Sequence, residues 1–152
     1  MFFATVLAGA LVAAGCGSDD GNSTASLSKA QFVKQGNAIC TAGSKELEEG
    51  FEEFAKEKNL GKNEEPSEAE LEEVAETVLV PGVGKQIEGL RALGTPEGDE
   101  GEVDRLLTGA EEALEEIEED PSKASENGGT FTEVNKEARE YGLTVCGEEE
   151  NE

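Results

Sequence analysis

Histidine is missing from this 152-residue chain, and so is tryptophan. Without histidine there is no Ser-His or Cys-His nucleophile, no imidazole acid or base, and almost no route to zinc, copper or haem ligation. Positive charge is scarce: 12 Lys and Arg stand against 36 Asp and Glu, a net charge of −24. That balance argues against nucleic acid as a partner, because binding it needs a basic footprint. An anionic membrane surface repels such a chain too, so any membrane attachment has to come from something other than charge. There is no alternating strand pattern, no repeat, no Gly-x-Ser-x-Gly elbow, no phosphate-binding glycine-rich loop and no EF-hand loop. Carboxylates are everywhere, so no pair of them stands out as an acid/base couple across a cleft. The sequence therefore offers no catalytic residue, no metal ligand and no cofactor, and predicts a protein that is not an enzyme.

What is present begins with an address. An uncharged apolar run, Phe2 to Ala14, ends in Leu11-Val12-Ala13-Ala14-Gly15-Cys16 and gives way to Gly17-Ser18-Asp19-Asp20-Gly21-Asn22. The run is shorter than the roughly 20 residues a transmembrane helix needs, and has the length and small-residue end of a signal-peptide core. Small residues before a cysteine resemble the lipobox of a bacterial lipoprotein. That resemblance implies cleavage before Cys16, lipidation of Cys16, and attachment to the outer face of the cell membrane. Ala13 stands where such boxes more often have Leu, and the segment before the apolar run is Met1 alone, with no Lys or Arg. Plain secretion and an N-terminal core helix are the alternatives. The expected division is a signal peptide over 1–15, a lipidated cysteine with flexible tether over 16–27, a helical domain over 28–147 and an acidic tail over 148–152.

If Cys16 carries lipid, Cys40 and Cys146 remain as an even pair in an oxidising compartment. A bridge between them would tie the first helix to the C-terminal segment. A redox-active pair and two free thiols are the alternatives; there is no Cys-X-X-Cys to favour the first.

From residue 29 to about 58 the apolar side chains, Phe32, Val33, Ile39, Cys40, Leu47, Phe51 and Phe54, recur at helical spacing behind a Ser28/Gln31 capping box, with Gly36 and Gly43 on the same stripe, where they would let a neighbouring helix approach. A second helix, capped by Ser67 with Glu70, carries Leu71, Val74, Ala75, Val78 and Leu79. It then meets Val80-Pro81-Gly82-Val83-Gly84, which should break or kink it before the pattern resumes at Ile87, Leu90 and Leu93. Such a break usually fits a helix over a core; a hinge or pocket wall is the functional alternative. A third helix over about 102–119 turns Val103, Leu106, Leu107, Leu114 and Ile117 inward and Glu111, Glu112, Glu115, Glu116, Glu118 and Glu119 outward. A fourth starts at a Thr130/Glu133 capping box, carries Phe131, Val134, Ala138 and Tyr141 as its apolar residues, and stops at Gly142. The fold class is all-α: a small up-and-down bundle of about four helices, the second broken at Pro81–Gly84.

Asn37-Ala38-Ile39-Cys40 near the start of helix one, and Glu140-Tyr141-Gly142-Leu143-Thr144-Val145-Cys146-Gly147 at the other end, carry a further resemblance. Together with the lipobox they look like small lipoproteins and secreted helical proteins of actinobacteria, which pair an early helix cysteine with a C-terminal Tyr-Gly-Leu-x-x-Cys. The resemblance implies an envelope protein with a helical fold and one disulfide, and brings no catalytic residue or ligand with it. The expectation is a lipid-anchored binding or interaction module whose partner is an envelope protein or a small ligand. The alternative is an acidic structural protein of the envelope that attracts cations weakly.

Overall fold

A computed structural model of the chain describes residues 27–61, 66–125 and 129–148. The expected signal peptide over 1–15, Cys16 with its tether up to residue 26, and the acidic tail beyond Glu148 lie outside the described residues. The described chain is all-α, with no strand.

Helix α1, Lys29–Lys58, starts where the sequence says it should. The Gln31 amide donates to Ser28 Oγ (3.3 Å) and the Ser28 amide donates back to Gln31 Oε1 (3.0 Å), which satisfies two of the donors a helix start leaves open. It ends at Asn59, held in the left-handed region at φ 58°. Helix α2, Glu68–Val74, opens with Glu70 Oε2 accepting from the Ser67 amide at 2.8 Å.

The second helix is irregular, but not in the way Pro81–Gly84 suggests. The backbone stays helical from Glu68 to Ala92, and the irregularity is a π-helical stretch, Ala75–Leu79, between α2 and helix α3, Val80–Ala92. The Val80 amide reaches back five residues to the Ala75 carbonyl. The cause is Pro81. It has no N–H to donate, and its ring would press on the carbonyl one α-turn back, at Thr77. Widening the preceding turn removes that clash without breaking the rod.

Helix α4, Glu100–Glu119, begins two residues earlier than the apolar pattern predicts. A short 3₁₀ turn, Pro121–Ser125, follows, and helix α5, Thr132–Tyr141, completes the set. The Thr130/Glu133 capping box does not form. Helix α5 starts with Phe131 at its cap position, Thr130 Oγ1 is buried without a hydrogen-bond partner, and Glu133 pairs with Lys136 at 3.6 Å. The other end of α5 is as expected. Gly142 takes φ 115°, and the Leu143 amide donates to the Ala138 carbonyl at 2.8 Å.

Counting α2, the π stretch and α3 as one rod, four helical rods follow one another around a core, α1 on α3, α3 on α4 and α4 on α5. The core holds Phe32, Leu90, Val103, Leu106, Tyr141 and Leu143, all nearly inaccessible. The C-terminal segment after Gly142 closes the circle by packing back on α1.

The outer face of α4 keeps its repulsion. Glu111 is the exception. Arg91 on α3 grips it with two hydrogen bonds, 2.5 and 2.7 Å, and this contact holds the Glu111 carboxyl below the usual range. Lys123 reaches Glu116 at 3.4 Å, while Glu112, Glu115, Glu118 and Glu119 are exposed. Exposed ion pairs contribute little, so self-repulsion at a net charge of −24 dominates the salt response. Raising NaCl from low ionic strength to roughly 0.5 M should lift Tm by a few degrees in a circular dichroism melt; a falling Tm would mean that the ion pairs outweigh the repulsion.

Candidate functional site

The two segments that carry the family resemblance meet. Asn37 of α1 uses both ends of its amide on the C-terminal segment: Nδ2 donates to the Gly142 carbonyl (3.0 Å), and Oδ1 accepts from the Val145 amide (2.9 Å). One residue back, Gly36 leaves room for Leu143; a Cβ there would lie 2.6 Å from Leu143 Cδ2. One turn on, the Cys40 and Cys146 sulfurs stand 2.10 Å apart, the separation of a disulfide. Gly147 then passes so close to α5 that an added Cβ would sit 2.3 Å from the Asn135 carbonyl oxygen. Arg139 donates Nη1 to the Gly147 carbonyl, fixing the end of the segment. Residues 142–147 are thus clamped between α1 and α5 by hydrogen bonds, close packing and a sulfur–sulfur link.

That clamped segment is one wall of a cavity of about 480 Å³. Cys40, Ser44 and Leu47 line it from α1. The second rod contributes Leu79 from the π stretch, then Val83, Gln86, Ile87 and Leu90. Leu106, Leu107 and Ala110 come from α4, Phe131 from the cap of α5, Val134, Asn135 and Ala138 from α5 itself, Leu143, Val145 and Cys146 from the clamped wall, and Glu148 from just beyond it. The Pro81 region therefore does supply a pocket wall: the π stretch and the turn after Pro81 aim Leu79 and Val83 at the cavity.

Chemically the cavity is graded. Its depth is aliphatic, with Leu90, Leu106, Leu107 and Leu143 all at most 6% exposed. Its polar groups sit on half-buried or exposed residues: Ser44, Gln86, Asn135 and Glu148. The Gln86 stem lies across Gly43 of α1, where a Cβ would come within 2.3 Å of Gln86 Cγ, so the glycine allows the side chain to lie flat in the α1–α3 gap. Among the described residues no lysine or arginine lines the cavity. The volume falls within the range of small-molecule pockets, which are mostly apolar with a few placed polar groups. Such a lining can hold an apolar body by burial and orient a polar end.

The lone tyrosine is a core residue, as the sequence suggests. Its ring meets Phe32 edge-on, with centroids 6.0 Å apart, and its hydroxyl donates to Asp99 Oδ2 at 3.0 Å. Burial, aided by that hydrogen bond, pushes the phenol well above its ordinary pKa, so it remains a donor. Lys29 Nζ lies 3.8 Å from the ring centre. This cluster is at the start of α1, away from the cavity lining.

Compared with protein-family models, with curated proteins and with solved structures, the chain gives no match. Among the described residues no group of His, Cys, Asp or Glu side chains is arranged to hold a metal ion, and no helix is long and apolar enough to cross a membrane.

The sequence marks Cys40 and Cys146, and Asn37 only as part of the segment before Cys40, but not Gln86 or Asn135. A polar residue inside an amphipathic pattern carries no mark of what it faces. The one local signal was Gly43 on the inward stripe of α1, which announces a close neighbour without naming it.

Proposed function

We propose that this protein is a non-catalytic binding module of the bacterial cell envelope, held at the outer face of the membrane by lipid on Cys16. The observation that carries the binding role is the cavity of about 480 Å³, apolar in depth and polar at its mouth, with one wall held by the Cys40–Cys146 link. Building a wall from a separate segment and pinning it at several points keeps the cavity open against the tendency of a four-helix core to collapse. The support for the address is the Leu11 to Cys16 segment followed by a Gly/Ser/Asp/Asn tether. A stapled cysteine pair also suits an oxidising extracytoplasmic compartment. The family resemblance of the 37–40 and 140–147 segments points the same way.

Intact-mass measurement of the protein from its native membrane, before and after reduction and alkylation, tests the address. The expected result is a chain beginning at lipid-modified Cys16, with two thiols appearing only after reduction. Unmodified Cys16 in the mature chain, or thiols alkylated without reductant, would overturn it.

The glutamate-coated outer face of α4 favours a second reading, an acidic structural protein of the envelope that attracts cations diffusely. Under that reading Ca²⁺ binds weakly and is screened by salt, and no apolar ligand saturates the cavity.

A further inference from the structure

We infer that the cavity takes a single-chain amphiphile with an alkyl body and a protonated amine at the polar end. This rests on the reading of the chain as a binding module and names the ligand class of that same cavity. Two observations on the lining carry it. The depth is aliphatic and almost free of polar partners, so water held there makes few hydrogen bonds and is readily displaced by hydrocarbon. The mouth is polar and of one sign: among the described residues Glu148 is the only ionisable side chain lining the cavity, and no lysine or arginine joins it.

Arg139 on α5, close in sequence to the lining residues Asn135 and Ala138, is itself absent from the lining and donates to the Gly147 carbonyl. A carboxylate or phosphate end could accept from the Gln86 and Asn135 amides and the Ser44 hydroxyl, but it would sit beside Glu148 with no cation in the described lining to balance it, on a chain of net charge −24. An ammonium there donates to the Glu148 carboxylate, and Gln86, Asn135 and Ser44 supply further oxygen acceptors. Because the mouth is open to solvent, charge complementarity sets preference and rate, while burial of the alkyl body supplies most of the affinity.

The test uses three probes with one chain and three heads: dodecylamine, dodecanol and dodecanoate. Each is titrated by calorimetry below its aggregation concentration at low ionic strength. The expected order is amine, then alcohol, then carboxylate, one molecule per chain, with the amine favoured over the carboxylate by about tenfold. Glu148→Gln should shrink that ratio to about threefold, with the loss falling mainly on the amine. Ala110→Phe, which fills the cavity, should abolish binding of all three. Ser44→Phe at the mouth does so at an exposed position, should Ala110→Phe fail to fold. Equal binding of the three heads, abolished by cavity filling, would overturn the amine preference and leave the binding cavity standing. Absence of saturable binding by any probe would overturn both. Several amines per chain, indifferent to Ala110→Phe and removed by salt, would be adsorption to the acidic coat and would also overturn the proposal.

Discussion

Replacing Cys40 and Cys146 together by alanine should lower the unfolding free energy by about 4–5 kcal/mol. The link closes a loop across 106 residues of sequence, and the chain-entropy cost of leaving so long a loop open is of that size. For a domain of this length, each kcal/mol shifts Tm by about 3–5 °C, so a loss on the order of 15 °C should appear in a far-ultraviolet melt. Dithiothreitol acting on the unaltered protein should give a similar shift by an independent route. The size matters because marginal stability is the rule: about 5 kcal/mol is the lower end of what a natural domain possesses. A shift under about 5 °C would show that Asn37, the Gly36–Leu143 contact and the Arg139–Gly147 hydrogen bond hold the C-terminal segment unaided.

Phe32→Ala should cost about 3–5 kcal/mol, measured as a fall in the urea midpoint at constant slope. Phe32 is 0% exposed, so truncation leaves a cavity that its neighbours cannot close. It also deprives Tyr141 of its edge-on partner, and that pair contributes beyond the area it buries. Phe32→Leu keeps most of the volume and should cost under about 1.5 kcal/mol. A Phe32→Ala cost below about 2 kcal/mol would show that α1 and α5 move together to fill the space.

The sequence disclosed what local chemistry and period could encode. Ser28 with Gln31 and Ser67 with Glu70 start helices because the two partners lie one turn apart, so the start is written in adjacent residues. Val103, Leu106, Leu107, Leu114 and Ile117 face inward as their spacing requires. Three things were not legible. Thr130 has the residue type and spacing of a cap, but the chain entering α5 carries its hydroxyl into a buried place where Glu133 does not meet it. Pro81 with Gly82 and Gly84 reads as a break, because propensity counts cost and cannot see the packing on both sides that keeps the rod intact. There was nonetheless a sign of the π stretch in the apolar pattern. Ala75 and Ile87 are both buried. At about 100° per residue, an α-helix would place them about 120° apart, whereas absorbing one extra residue in a wide turn brings them within about 20°. The cavity itself was invisible, since its lining comes from all four rods and the clamped segment, and only the tertiary arrangement brings them together.

The place of the Cys40–Cys146 link along the chain also decides how the protein bears a mechanical load. Everything from Thr41 to Val145 lies inside a covalent ring, so α2 to α5 and the cavity wall cannot be drawn out end to end while the link holds. A pull on the N-terminal side, where the proposed anchor sits, can peel only the first part of α1, Lys29 to Ile39, before the tension reaches sulfur. At roughly 3.4 Å per extended residue, the ring keeps about 350 Å of chain out of reach of that force. A protein tethered at this end would yield by fraying eleven helical residues and then stop, its cavity wall held by the bond that took up the strain.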